Sequence, residues 1–149
     1  MTWVTWSTTC ARSARVDVLR GRHLGLVEAL PGRWTARRAV GEALDGAANG
    51  LVRVVVPELL WAEVTNVLLR RERSGSIAPE EVRALIDVLQ SLPITTFGHG
   101  PLVHRALDLA RVHGLTTYDA LFLALAGRAS AHLLTADAKL ARAALAEMI

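Results

Sequence analysis

Three acids in this 149-residue chain stand where acids are expensive unless they do chemistry. Asp119 opens the segment Asp119 to Ala126, which is apolar at almost every position. A helix that is hydrophobic all round is a buried one. A carboxylate at its mouth needs donors or a cation to offset the loss of water. Asp137 follows the short apolar run His132-Leu133-Leu134 and precedes a helical pattern from Ala138 to Leu145. It therefore sits where a strand ends and a helix begins, the side on which open α/β sheets bind ligands. Glu63 lies along the apolar stripe Leu60, Val64, Val67 and Leu68, facing inward. Clustered carboxylates are the donor set of a hard divalent cation, Mg2+ or Mn2+, which takes oxygen ligands and keeps several waters.

The elements that must position these acids are legible in order. Trp34 to Leu44 has the period of an amphipathic helix, and Asp45-Gly46 and Asn49-Gly50 are turn signals. The β-branched run Val52 to Val56 predicts a buried strand. Pro57 then starts a helix at a tolerated position, and that helix runs to about Arg73 and stops at Ser74-Gly75. Pro79 to Leu92 predicts a further helix with Val82, Leu85, Ile86 and Leu89 inside. Ile94 to Phe97 predicts a short strand, and Gly98-His99-Gly100 a loop. Pro101 to His113 predicts another amphipathic helix, with Leu102, Ala106, Leu109 and Val112 inward and Gly114 as its C-terminal cap. Strands separated by helices imply an α/β domain on a mostly parallel sheet. The strand at Val52 to Val56 argues against a purely helical interaction protein. Met1 to His23 lacks a sustained period and is expected to be irregular, apart from a helical turn expected nearby at Leu26 to Leu30.

Composition narrows the function classes. The chain is 52% hydrophobic, which excludes a disordered polymer. No apolar stretch reaches membrane-spanning length without charges, so no membrane partner is expected. The N-terminus lacks the pattern of a secretory signal, and Cys10, the lone cysteine, has no internal partner. Both favour the cytoplasm. A net charge of +3 and a pI of about 10.0 suit a polyanionic partner. His99, His104, His113 and His132 are scattered, with no zinc-ligand spacing and no pair suited to acid–base work. Asp45, Asp87 and Asp108 fall in turns or on polar helix faces and are read as solvated. Arg70, Arg71 and Arg73 end the long helix, where they suit either the phosphates of a nucleic acid or the helix dipole. Leu59, Trp61 and Leu69 are candidates for a dimer or protein-partner surface.

PELLWAEVTNVLLRR, LTTYDALFLALA and LLTADAKLARAA, in this order and spacing, resemble the later motifs of PIN-domain ribonucleases, in particular the VapC toxins of toxin–antitoxin pairs. The resemblance covers roughly Gly25 to the C-terminus. It implies a three-layer α/β/α sandwich, Mg2+-dependent hydrolysis of RNA, a cognate antitoxin as partner and a homodimer. It assigns metal-site and catalytic roles to Glu63, Asp119 and Asp137, with Asn66 and Thr135 supporting them by hydrogen bonds.

The first motif of that family, a strand ending in an aspartate such as VVDAS or VVDTS, has no counterpart here. Asp17 is the nearest acid of that kind and lies several residues too early, so it is read as solvated. The first strand is expected to be degraded and to leave an exposed sheet edge. In that case the chain is a catalytically impaired PIN-fold binding protein that associates with an antitoxin or with itself. Arg20 to Gly25 can be encoded CGT GGT CGA CAC CTC GGG, and read one base later this string spells Val-Val-Asp-Thr-Ser-Gly. A single lost base near the Gly25 codon then puts residues 1–23 out of frame, ahead of a PIN-like domain over 24–149. The gene is expected to carry codons that spell this motif in the neighbouring frame; codons that do not spell it rule out the slip.

Overall fold

The computed structural model describes residues 15–19, 33–135 and 137–147, with side chains from residue 40 onward. Its elements are β1 (Arg15–Leu19), α1 (Arg33–Ala48), β2 (Val52–Pro57), α2 (Leu59–Arg73), α3 (Pro79–Ser91), β3 (Ile94–Phe97), α4 (Val103–His113), α5 (Thr117–Ala129), β4 (His132–Leu134) and α6 (Ala138–Glu147). The strands form one sheet in the order β3-β2-β1-β4, and every neighbouring pair is parallel. The helices make it a three-layer α/β/α sandwich, as expected.

The central strand departs from expectation. Arg15–Leu19 lies in the segment read as irregular, yet it pairs on both sides, Val18 with Val55 of β2 and with Leu133 of β4. β2 and β4 each present main-chain donors and acceptors toward the seat between them, and such groups must be paired. Arg-Val-Asp-Val-Leu offers a short alternation that fills that seat, too brief to stand out as a pattern. The exposed edge expected beside a degraded first strand is therefore not found there. The turn expected at Leu26 to Leu30 lies outside the described residues.

The core gathers where the sheet meets α5. Asp119 to Ala126 is buried without interruption, and Phe122, Leu125, Leu68, Leu102, Leu140, Val54 and Val56 are fully enclosed. Helix α5 contacts β1, β2 and β4 along the sheet and α4 and α6 beside it. The stripe Leu60, Val64, Val67 and Leu68 of α2 is buried as its spacing requires.

Three local expectations are corrected. Helix α1 continues through Asp45-Gly46 to Ala48, because α1 approaches β2 closely there: a Cβ on Gly46 would lie 2.7 Å from Val52 Cγ2. The chain turns only at Asn49-Gly50, where Gly50 has φ +69°. Leu85 and Val112, placed inward by period, are exposed. Val112 sits in the last turn of α4, where the helix has outrun the core. Gly114 does cap α4 in the left-handed conformation, with φ 61°.

Removing the Phe122 ring should leave a cavity that the surrounding sheet and helices cannot collapse into. Phe122→Ala is expected to cost about 3–5 kcal/mol, read as a lower urea midpoint at unchanged m-value.

Candidate metal site and family

Each of the three acids enters through its own element. Helix α2 leaves the end of β2 and carries Glu63 just past its first turn, half-buried, with the Oε2 atom shielded from solvent. Helix α5 begins at Thr117 rather than at Asp119. Thr116 is the N-cap, and its Oγ1 accepts from the Asp119 N–H at 3.2 Å. Asp119 is thereby the third residue of the helix, where an acid favours the dipole. It is 7% exposed and the only buried charged side chain among the described residues.

Asp137 follows β4 and caps α6. Its Oδ1 accepts from the N–H groups of Lys139 at 2.9 Å and Leu140 at 3.0 Å. Thr135 Oγ1 accepts from the Asp137 N–H at 3.1 Å, so Thr135 supports Asp137 through the main chain. Asn66 is exposed on α2.

Carboxylate oxygens are what Mg2+ or Mn2+ prefers, so the donor chemistry of Glu63, Asp119 and Asp137 suits either ion. Among the described residues, no group of three or more His, Cys, Asp and Glu side chains is arranged to hold a metal ion. The described residues thus do not bring Glu63, Asp119 and Asp137 into a closed cluster. Topology does relate two of them. β2 and β4 flank β1 and run parallel to it, so Glu63 and Asp137 both follow strands that end at the same edge of the sheet. At that edge β1 ends with Leu19, and Asp17 lies two residues earlier, in register with Val54 and His132. The Asp17 side chain lies outside the described residues.

The PIN domain family profile matches residues 26–145. The chain belongs to the PIN-domain family. It is of the VapC type. It is 41% identical over 115 residues to Ribonuclease VapC1 of Mycobacterium tuberculosis, covering 70% of this chain and 85% of that protein. It is also 31% identical over 106 residues to Ribonuclease VapC3 of Pyrobaculum aerophilum, covering 71% of this chain and 76% of that one. The crystal structure of PAE2754 from Pyrobaculum aerophilum has the same fold, with a TM-score of 0.62 and 21% identity, covering 87% of this chain and 80% of that chain. The PIN match begins just past Gly25, so β1 and Asp17 precede it.

Two features of this PIN domain escaped sequence reasoning. His99 accepts a main-chain hydrogen bond from α2, at Leu59. A histidine between two glycines at the end of a strand is the signal that was available. The second is a cleft of about 570 Å³ between α4, α5, β4 and α6, with Arg105, Arg128, His132 and Glu147 on its walls. Leu59, Trp61 and Leu69 prove half-buried, and Trp61 Nε1–H donates to Thr96 Oγ1 at 3.0 Å within the chain.

Substitution isolates the capping role of Asp137. Asparagine caps as well as aspartate, whereas alanine does not. Asp137→Ala is expected to lower unfolding free energy by about 0.5–2 kcal/mol and Asp137→Asn by much less, both read by urea titration.

Proposed function

We propose that this chain is an Mg2+-dependent endoribonuclease toxin, cleaving RNA phosphodiesters and held in check by a cognate antitoxin. The observation that carries the reading is the identity to Ribonuclease VapC1 across 85% of that protein. Glu63, Asp119 and Asp137 are the proposed ligands and catalytic acids, with Mn2+ as an alternative ion. When bound, such an ion supplies Lewis acidity toward a phosphoryl oxygen and toward water. The protein's part is to hold its acids ready. Asp119 is buried at the start of α5, where a carboxylate needs donors or a cation to offset the loss of water. The cap bonds of Asp137 fix its side chain at the start of α6. Arg70, Arg71 and Arg73 form an exposed cationic turn at the end of α2, suited to RNA phosphates. No helix among the described residues is long and apolar enough to cross a membrane. The proposed setting is the cytoplasm, with a homodimer as the proposed assembly.

A second reading has its own support. β1 ends in Leu19 rather than in an acid, and no described group of three acids is set to hold an ion. On this reading the chain is a PIN-fold binder that associates with antitoxin or with itself and cuts poorly. The lost-base proposal joins the two readings: the PIN match starting at residue 26 agrees with a frame break near Gly25. Restoring the frame would then restore the first acid and the activity.

Under the nuclease reading, Asp119→Asn lowers Mg2+-dependent RNA cleavage by about a hundredfold or more, the scale of removing one electrostatic contributor from a site. Its melting temperature stays near that of the parent chain. Equal cleavage by parent and variant defeats the assignment. A parent chain that neither cleaves RNA nor shifts its melting with millimolar Mg2+ favours the binder.

A further inference from the structure

Helix α2 carries Glu63 but starts without a side-chain cap of its own. Glu58, at the N-cap position, has helical dihedrals (φ −51°, ψ −28°) and makes no side-chain capping bond. The first N–H groups of a helix have no acceptor within it. Here the end of β3 supplies acceptors instead. The Glu58 N–H donates to Phe97 O at 3.0 Å, and the Leu59 N–H donates to His99 Nε2 at 2.9 Å. Trp61 Nε1–H reaches Thr96 Oγ1 nearby. Pro57 and Phe97 are in register between β2 and β3, so the strand entering α2 and the loop that receives it are clamped side by side.

His99 stands apart among these contacts. Phe97 O is a main-chain acceptor that any residue supplies, and the Trp61–Thr96 bond joins two side chains. His99 is the one side chain among them that accepts from the helix main chain. Acceptance at Nε2 places the imidazole proton on Nδ1. Glu63 follows Leu59 by four residues, one turn along the same helix face and about 6 Å further along the axis. A shift in the anchored Leu59 amide is therefore carried directly to the Glu63 backbone.

We propose that His99 is a positioning residue for Glu63, acting through the Leu59 N–H to fix the axial setting of α2. The role rests on the metal-site reading of Glu63. The contact that carries this role is with the main chain of α2. It stands in for a missing N-cap from a distance of 40 residues along the chain.

The test compares two substitutions in the full chain. His99→Leu keeps bulk and removes the acceptor, whereas the amide oxygen of His99→Gln reaches the place of Nε2. Two readouts are taken by NMR: hydrogen exchange at the Leu59 amide, and the Mg2+ concentration that half-saturates the shift of the Glu63 amide. His99→Leu is expected to speed exchange and raise the half-saturating Mg2+ about tenfold each, on the scale of leaving one donor unpaired. His99→Gln is expected to return both to within about threefold of the parent. Should His99→Leu not fold, His99→Asn replaces it, because its amide ends at the position of Nδ1, short of Leu59. A parent that responds to Mg2+, with the Gln and Leu variants behaving alike, overturns the role of His99 alone. A parent without any Mg2+ response removes the metal reading and the task assigned to His99 with it, even where the exchange data show the bond.

Discussion

All four described strands run in one direction, and that constraint organises the rest of the molecule. A parallel neighbour cannot be reached by a tight turn, so each strand hands over to helix before the chain returns. The strand ends that hand over all open on the same edge. β2 gives way to α2 and Glu63, and β4 gives way to Asp137 and α6. Helix α5 is the exception in kind: it lies against β1, β2 and β4 and is buried at every position from Asp119 to Ala126, so the acid in its first turn is drawn out of water with that stretch. Parallel pairing thus accounts for residues distant in sequence sharing an edge, and burial for one of them being costly.

The same acids hold ordinary structural posts. The Asp119 main chain closes a bond with Thr116, and Asp137 caps α6 through Oδ1. Helix N-termini favour negative charge, so acids placed there are stabilised before any ion arrives. A fold that gathers helix starts near one edge therefore gathers carboxylates at little cost. These structural posts are compatible with the metal role proposed for the same acids.

Much of the fold was legible where one physical signal dominated. The stripe of α2 and the unbroken apolar run of α5 could be read directly, because core-facing helices must repeat or saturate their apolar positions. Boundaries failed where tertiary contact overrode local preference. Gly46 looked like a turn and is a point of close approach to Val52. Val112 kept the period of α4 after the core had ended. β1 was missed because five residues carry little pattern, and a central strand is held by two neighbours that no local window contains. Of the candidate site, Asp119 and Asp137 were legible from their places at element starts, and Glu63 from the apolar stripe it lies along. Their mutual distances were not, since spacing along the chain says nothing of separation across a sheet. His99 was invisible because a loop histidine has no periodicity, and its acceptor role exists only once β3 lies beside β2.

The proposed nuclease activity needs Glu63, Asp119 and Asp137 to converge on one divalent ion, beyond their arrangement in the described residues. The most direct measurement is anomalous diffraction from crystals grown with Mn2+. The expected result is one anomalous peak with carboxylate oxygens of all three residues around it. A peak bound elsewhere, or well-ordered carboxylates pointing apart with no peak between them, would contradict it.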